Sequence, residues 1–112
     1  AVGECDALYI PTDNTIANNT EIVKNVAVPA GIPVVTGEEG MCSGCGLATL
    51  SISYYDLGVK AAEMAYEILT NGADPAQMAI GYVTDGITEK YNADIAEALN
   101  ITIPEDMVAI EN

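Results

Sequence analysis

Two short apolar runs, Asp-Ala-Leu-Tyr-Ile-Pro from Asp6 to Pro11 and Ile-Pro-Val-Val-Thr from Ile32 to Thr36, constrain this chain more than any other feature. Each is short and continuous, Ile32 to Thr36 is rich in β-branched residues, and each ends on a breaker, Pro11 or Gly37. Runs of that kind are expected for strands buried on both faces of a parallel sheet, and parallel neighbours require a crossover between them. The intervening stretch supplies one. From Asn14 to about Val28, Ile16, Ile22, Val23, Val26 and Ala27 fall near a helical repeat, with Asn18, Asn19, Glu21, Lys24 and Asn25 opposite. A strand, helix, strand unit follows.

A third apolar run, Leu47 to Ile52, leads into the strongest helix signal in the chain. Ser53 stands three residues before Asp56 as an approximate capping box, and Leu57, Ala61, Met64, Ala65, Ile68 and Leu69 form one stripe. Asn71-Gly72, with Pro75 beyond, ends it. Ala79 to Val83 and Ile87 to Tyr91 are expected as two further short strands, weakened by Gly81 and Gly86. A last helix from about Asn92, its cap, to Leu99 precedes a frayed tail. Strands alternating with helices predict an α/β, three-layer domain with a mostly parallel sheet.

Composition limits what this domain does. The 112 residues suffice for one core, and three Lys with no Arg against seventeen Asp and Glu leave a net charge of −14. Nucleic acid and anionic membranes are therefore excluded as partners, since binding phosphate requires Lys or Arg to displace counterions. The absence of His removes the commonest general base and the usual catalytic zinc ligand, so no enzyme activity and no cofactor are expected. No apolar run approaches the roughly 20 residues of a membrane span. The opening Ala1-Val2-Gly3-Glu4, apolar by Leu8, reads as a piece cut from a longer protein.

In open α/β sheets ligands bind beyond the carboxyl ends of the strands. Three segments occupy that position. In Pro11-Thr12-Asp13-Asn14-Thr15, side chains and free N–H groups at a helix start suit a carboxylate, with plain N-capping by Asp13 or Asn14 as the competing role. Glu38 and Glu39, flanked by Gly37 and Gly40, suit an ammonium group or serve as solvated acids. Ser53-Tyr54-Tyr55 offers flat faces with polar tips, at least one tyrosine being expected in the core.

Cys42-Ser43-Gly44-Cys45, with Cys5 left over, is open to use as a disulfide, part of a metal site or a redox pair. Too few ligands are present for zinc, and the neighbouring carboxylates disfavour a thiolate. A structural pair in a Gly-rich loop, Cys42 to Cys45 oxidised if the protein works outside the cytoplasm, is the favoured reading.

Asp6 to Thr15, Ile32 to Met41, Gly46-Leu47-Ala48-Thr49, Tyr54-Tyr55-Asp56-Leu57-Gly58 and Ala98 to Pro104 are together similar, in order and spacing, to the C-terminal part of the tryptophan-binding-protein-like family of ABC-transporter substrate-binding proteins. The resemblance implies a type I periplasmic-binding-protein fold, two α/β lobes joined by hinge crossings around a small molecule. It implies residues 1–112 as a partial domain from the C-terminal lobe, 1–53 holding core strand-helix units and 54–112 a helix and tail after the crossing. The N-terminal lobe, an ABC permease and an amino acid, aromatic or otherwise hydrophobic, are the implied partners, and an extracytoplasmic lipoprotein the implied setting. Thr12, Asp13, Asn14, Thr15, Glu38, Glu39, Gly40, Ser53 and Tyr54 carry over to the cleft. Ser53 stands where relatives often have an acid, and the Cys42 to Cys45 stretch is usually free of cysteine in them. The stripe on the helix of Tyr55 to Leu69, left without the other lobe, must find another surface, either an intrachain fold-back or a second copy of the chain in a homodimer. A regulator's ligand-sensing domain shares this fold and is the alternative.

Overall fold

The computed structural model describes residues 3–111. The chain divides into two compact units, residues 1–51 with 88–112, and residues 52–87.

The first unit holds a five-stranded sheet in the order β1 (Leu8–Ile10), β2 (Val34–Thr36), β3 (Ala48–Ser51), β4 (Thr88–Tyr91), β5 (Val108–Ala109). β1, β2 and β3 are parallel, β4 runs antiparallel to β3, and β5 is parallel to β4. This is the expected α/β class with a mostly parallel sheet. The expected crossover helix is two pieces, α1 (Asn14–Ala17) and α2 (Thr20–Ala27), broken at Asn18-Asn19. The Asn19 side-chain amide donates to the Thr15 carbonyl at 2.7 Å, a local bond of the kind that competes with helix continuation.

The main core forms between this sheet and the helices: Ile10 and Val34 from the strands, Ala27 from α2, and Met41 from α3 (Glu39–Cys45), with Leu8, Ile16 and Val23 around them. Leu47, Ile95 and Ala96 form a second cluster, the last two on α5 (Ala93–Leu99). The opposite sheet face departs from the expectation of strands buried on both sides. Tyr9, Val35 and Leu50 stand 67%, 40% and 59% exposed, because the side-chain alternation that buries Val34 and Thr36 turns their neighbours outward.

The segment expected as a Gly-rich loop around the cysteines is helix α3. Gly44 explains its composition: a Cβ there would meet Thr20 Oγ1 at 2.3 Å and Thr20 Cβ at 2.6 Å, so glycine lets α3 approach α2. Cys42 and Cys45, read as a pair that would be oxidised outside the cytoplasm, are not bonded to each other in this structure. Both are free thiols, fully buried on α3. Burial pushes the Cys42 thiol up to about 11, opposed by a hydrogen bond with Thr36, and raises that of Cys45 too. Thiols this hard to ionise are poorly set for disulfide exchange.

The division at residue 53 is also corrected, because residues 88–112 return to the first sheet instead of remaining with the helix. Alternating Thr88-Glu89-Lys90-Tyr91 pairs with β3, and the tail, expected to fray, contributes β5 and a buried Ile110.

The second unit consists of α4 (Tyr54–Asn71), a 3₁₀ turn at Pro75–Gln77 and an extended segment. Ser53 caps α4, accepting from Asp56 N–H at 3.1 Å, and Gly72 ends it at φ 69°, as the sequence predicts. No residue of α4 is buried, and Tyr54 and Tyr55 are both exposed, against the expectation of one core tyrosine. Leu57, Val59, Tyr66 and Leu69 of the same helix are exposed as well. Ala79 to Val83 forms no strand.

Candidate functional site

The carboxyl ends of β1 and β2 lie side by side, as the register pair Ile10 and Thr36 requires. The loops that leave them touch. Gly37 N–H donates to the Ile10 carbonyl at 2.9 Å. A Cβ on Gly37 would stand 2.8 Å from Thr12 N and 2.9 Å from Thr12 Oγ1, so only glycine permits this approach.

In the first loop, Asp13 is the N-cap, accepting from Ile16 N–H at 2.9 Å. The capping role weighed for Asp13 is therefore the one it fills. The first two N–H groups of α1, those of Asn14 and Thr15, have no partner within the helix, and Thr12, Asn14 and Thr15 are all exposed beside them. Polar donors without apolar cover make this a hydrogen-bonding edge, suited to an anionic or carbonyl group.

In the second loop the two adjacent glutamates do different things. Glu38 caps α3, its carboxylate accepting from Gly40 N–H at 2.8 Å and from Met41 N–H. Gly40 is exposed, with room for a Cβ only 3.1 Å from Glu38 Oε2. Glu39 turns to the sheet, where both oxygens accept from Lys90 Nζ, at 2.9 and 2.8 Å, and Oε2 also accepts from Ser51 Oγ at 2.9 Å. The Lys90 hydrogen bonds hold the Glu39 carboxyl below its ordinary value, against a smaller opposing effect of burial. Glu38 has no lysine partner among the described residues. A carboxylate has about four lone-pair positions, so the capping bonds leave Glu38 capacity to accept.

Thr36 and Thr49 tie the loop to the strands. Thr36 Oγ1 donates to the Glu38 carbonyl at 3.0 Å, and Thr49 Oγ1 to the Thr36 carbonyl at 2.8 Å. Ser53 and Tyr54 belong to the second unit; Ser53 Oγ is occupied as a cap and the Tyr54 ring is exposed. Sequence reasoning missed Ser51 and Lys90. The only signal was that Lys90 is one of three cations in the chain.

Among the described residues there is no group of three or more His, Cys, Asp or Glu placed to hold a metal ion. Among the described residues, no helix is long and apolar enough to cross a membrane.

Comparison with known proteins gives a consistent result. The sequence model of a family described as "ABC transporter substrate binding protein" matches residues 1–111. A tyrosine-binding protein from Clostridioides difficile strain R20291 is 47% identical over 68 residues, covering 61% of this chain and 20% of the relative. The ligand-free, open structure of a substrate-binding protein with adhesive properties from Clostridium difficile is 37% identical, with a TM-score of 0.73 over 98% of this chain and 37% of that one. A Streptococcus pneumonia structure in complex with L-Trp is 31% identical, with a TM-score of 0.81 over 97% of this chain and 38% of that one. This chain thus spans well under half the length of these relatives.

Proposed function

Since the chain belongs to the ABC transporter substrate-binding protein family, we propose that it forms part of the C-terminal lobe of a solute receptor that captures an aromatic or other hydrophobic amino acid between two lobes and delivers it to an ABC permease. The observation that carries this reading is the contact of Gly37 with Thr12, which joins two strand-end loops into one polar edge. The ligand carboxylate goes to the N–H groups of Asn14 and Thr15 with the Thr12 hydroxyl. Its ammonium goes to Glu38, the glutamate of the pair that Lys90 does not neutralise. Glu39 and Gly40 shape the loop.

Capture is physical. One lobe makes part of the contacts and closure adds the rest, so a ligand shifts the open-to-closed equilibrium by its differential affinity for the two states. Such a receptor works outside the cytoplasm, where a lipid anchor on the natural protein would hold it near its permease. The names of the tyrosine-binding relative and the L-Trp complex support an amino acid as cargo. The test is calorimetric titration of the natural protein, including any sequence flanking these residues, with L-tyrosine and L-tryptophan. Thr12→Val, which removes the hydroxyl, and Glu38→Gln are each expected to weaken binding tenfold or more. Unchanged affinity in both variants overturns the site.

A further inference from the structure

The Glu39 carboxylate joins three segments that are far apart in sequence: the first turn of α3, the last residue of β3, and β4. Its Lys90 partner lies 51 residues away. Ser51 is the last residue of the first unit before the chain crosses into the second, and Thr88 is the first residue after it returns. These two are register partners in the antiparallel β3–β4 ladder. Lys90 follows Thr88 by two residues and shares its face of β4. One carboxylate therefore fastens both the strand by which the chain leaves and the strand by which it returns. Both side chains are partly shielded, Lys90 26% and Glu39 38% exposed, which keeps the pair from full solvent screening.

We infer that Lys90 is a positioning residue for motion between the two units. Acting through Glu39 and Ser51, it fixes the root of the two-strand connection, so bending falls on residues beyond it. Those are Ile52 and Ser53, just past the end of β3, and Asp85 to Ile87 on the return, where Gly86 already adopts φ +73°. Hinges of this kind are a few residues at the ends of elements that absorb the backbone change. The inference deepens the two-lobe reading, but its test needs no ligand, so the two can fail separately.

Hydrogen exchange is measured on the natural protein and on Lys90→Met, with Glu39→Gln/Lys90→Met as a second variant that leaves no unpaired charge. Amides of residues 50–52 and 88–90 are expected to exchange at least tenfold faster in both, while those of Ala27, Val34 and Met41 keep their rates. Lys90→Arg, which retains the cation, should exchange as the natural protein does. Spin labels on Asn25→Cys and Gln77→Cys, one in each unit and both in a Cys5→Ser background, should give a broader distance distribution in Lys90→Met. Uniform acceleration across the sheet, or no acceleration, reduces the pair to an ordinary stabilising contact or to nothing. An unchanged distance distribution overturns the hinge role.

Discussion

Gly37 stands so close to Thr12 that a Cβ on it would lie 2.8 Å from the Thr12 backbone nitrogen. The nearest atoms are Thr12 N, Thr12 Oγ1 and Pro11 C, two of them backbone, so the contact is not relieved by rotating a side chain. Gly37→Ala is expected to push the two strand-end loops apart, costing about 1–3 kcal/mol as overpacked sites do. Affinity for L-tyrosine should fall more than stability alone explains. Calorimetry and a urea midpoint on the same variant separate the two effects; normal affinity would show that the loops do not form one site.

Asn92 gives the clearest stability prediction. Buried at the start of α5, it accepts from Ile95 N–H at 3.3 Å and donates to the carbonyls of Cys42 and Ser43 at 3.2 and 2.8 Å. Asn92→Ala removes a cap and leaves buried polar groups unpaired, a loss of about 2–4 kcal/mol in urea denaturation. Asn92→Asp keeps the cap but sets a carboxylate against two carbonyls, and should not rescue.

The buried thiols should be inert. With Cys42 pushed up to about 11 and Cys45 raised, thiol reagents at pH 8 are expected to label Cys5 alone in the folded chain and all three thiols in urea. A reducing agent should leave the melting temperature unchanged. Rapid native labelling of Cys42 would contradict its burial.

Acid should weaken the Glu39–Lys90 pair in a defined direction. The folded carboxyl titrates below its unfolded value, so the stability it contributes is present above the unfolded pKa and is lost as pH falls through the folded one. The stability difference between the natural protein and Glu39→Gln is therefore expected at pH 7 and should shrink toward pH 3. Comparing the pair cancels the general relief of repulsion that acid brings to a chain of net charge −14. A difference constant from pH 7 to pH 3 would show that the pair adds no ionic stabilisation.

The sequence by itself determined the elements whose bonds are local. Ser53 to Asp56, Asn92 to Ile95, and the stop at Asn71-Gly72 each place the satisfying group within a few residues of the backbone that needs it. The β1 and β2 runs and the crossover between them were legible for the same reason, each being a pattern within one short window. The tertiary structure alone decided which of two adjacent glutamates faces a helix end and which faces a lysine 51 residues on. It alone decided that residues 88–112 come back antiparallel to finish the first sheet, and that Cys42 and Cys45 are core residues on a helix held against Thr20. The physical reason is common to all three: hydrogen bonding, burial and ionisation depend on which surfaces meet in space, and neighbours in the chain do not fix that meeting.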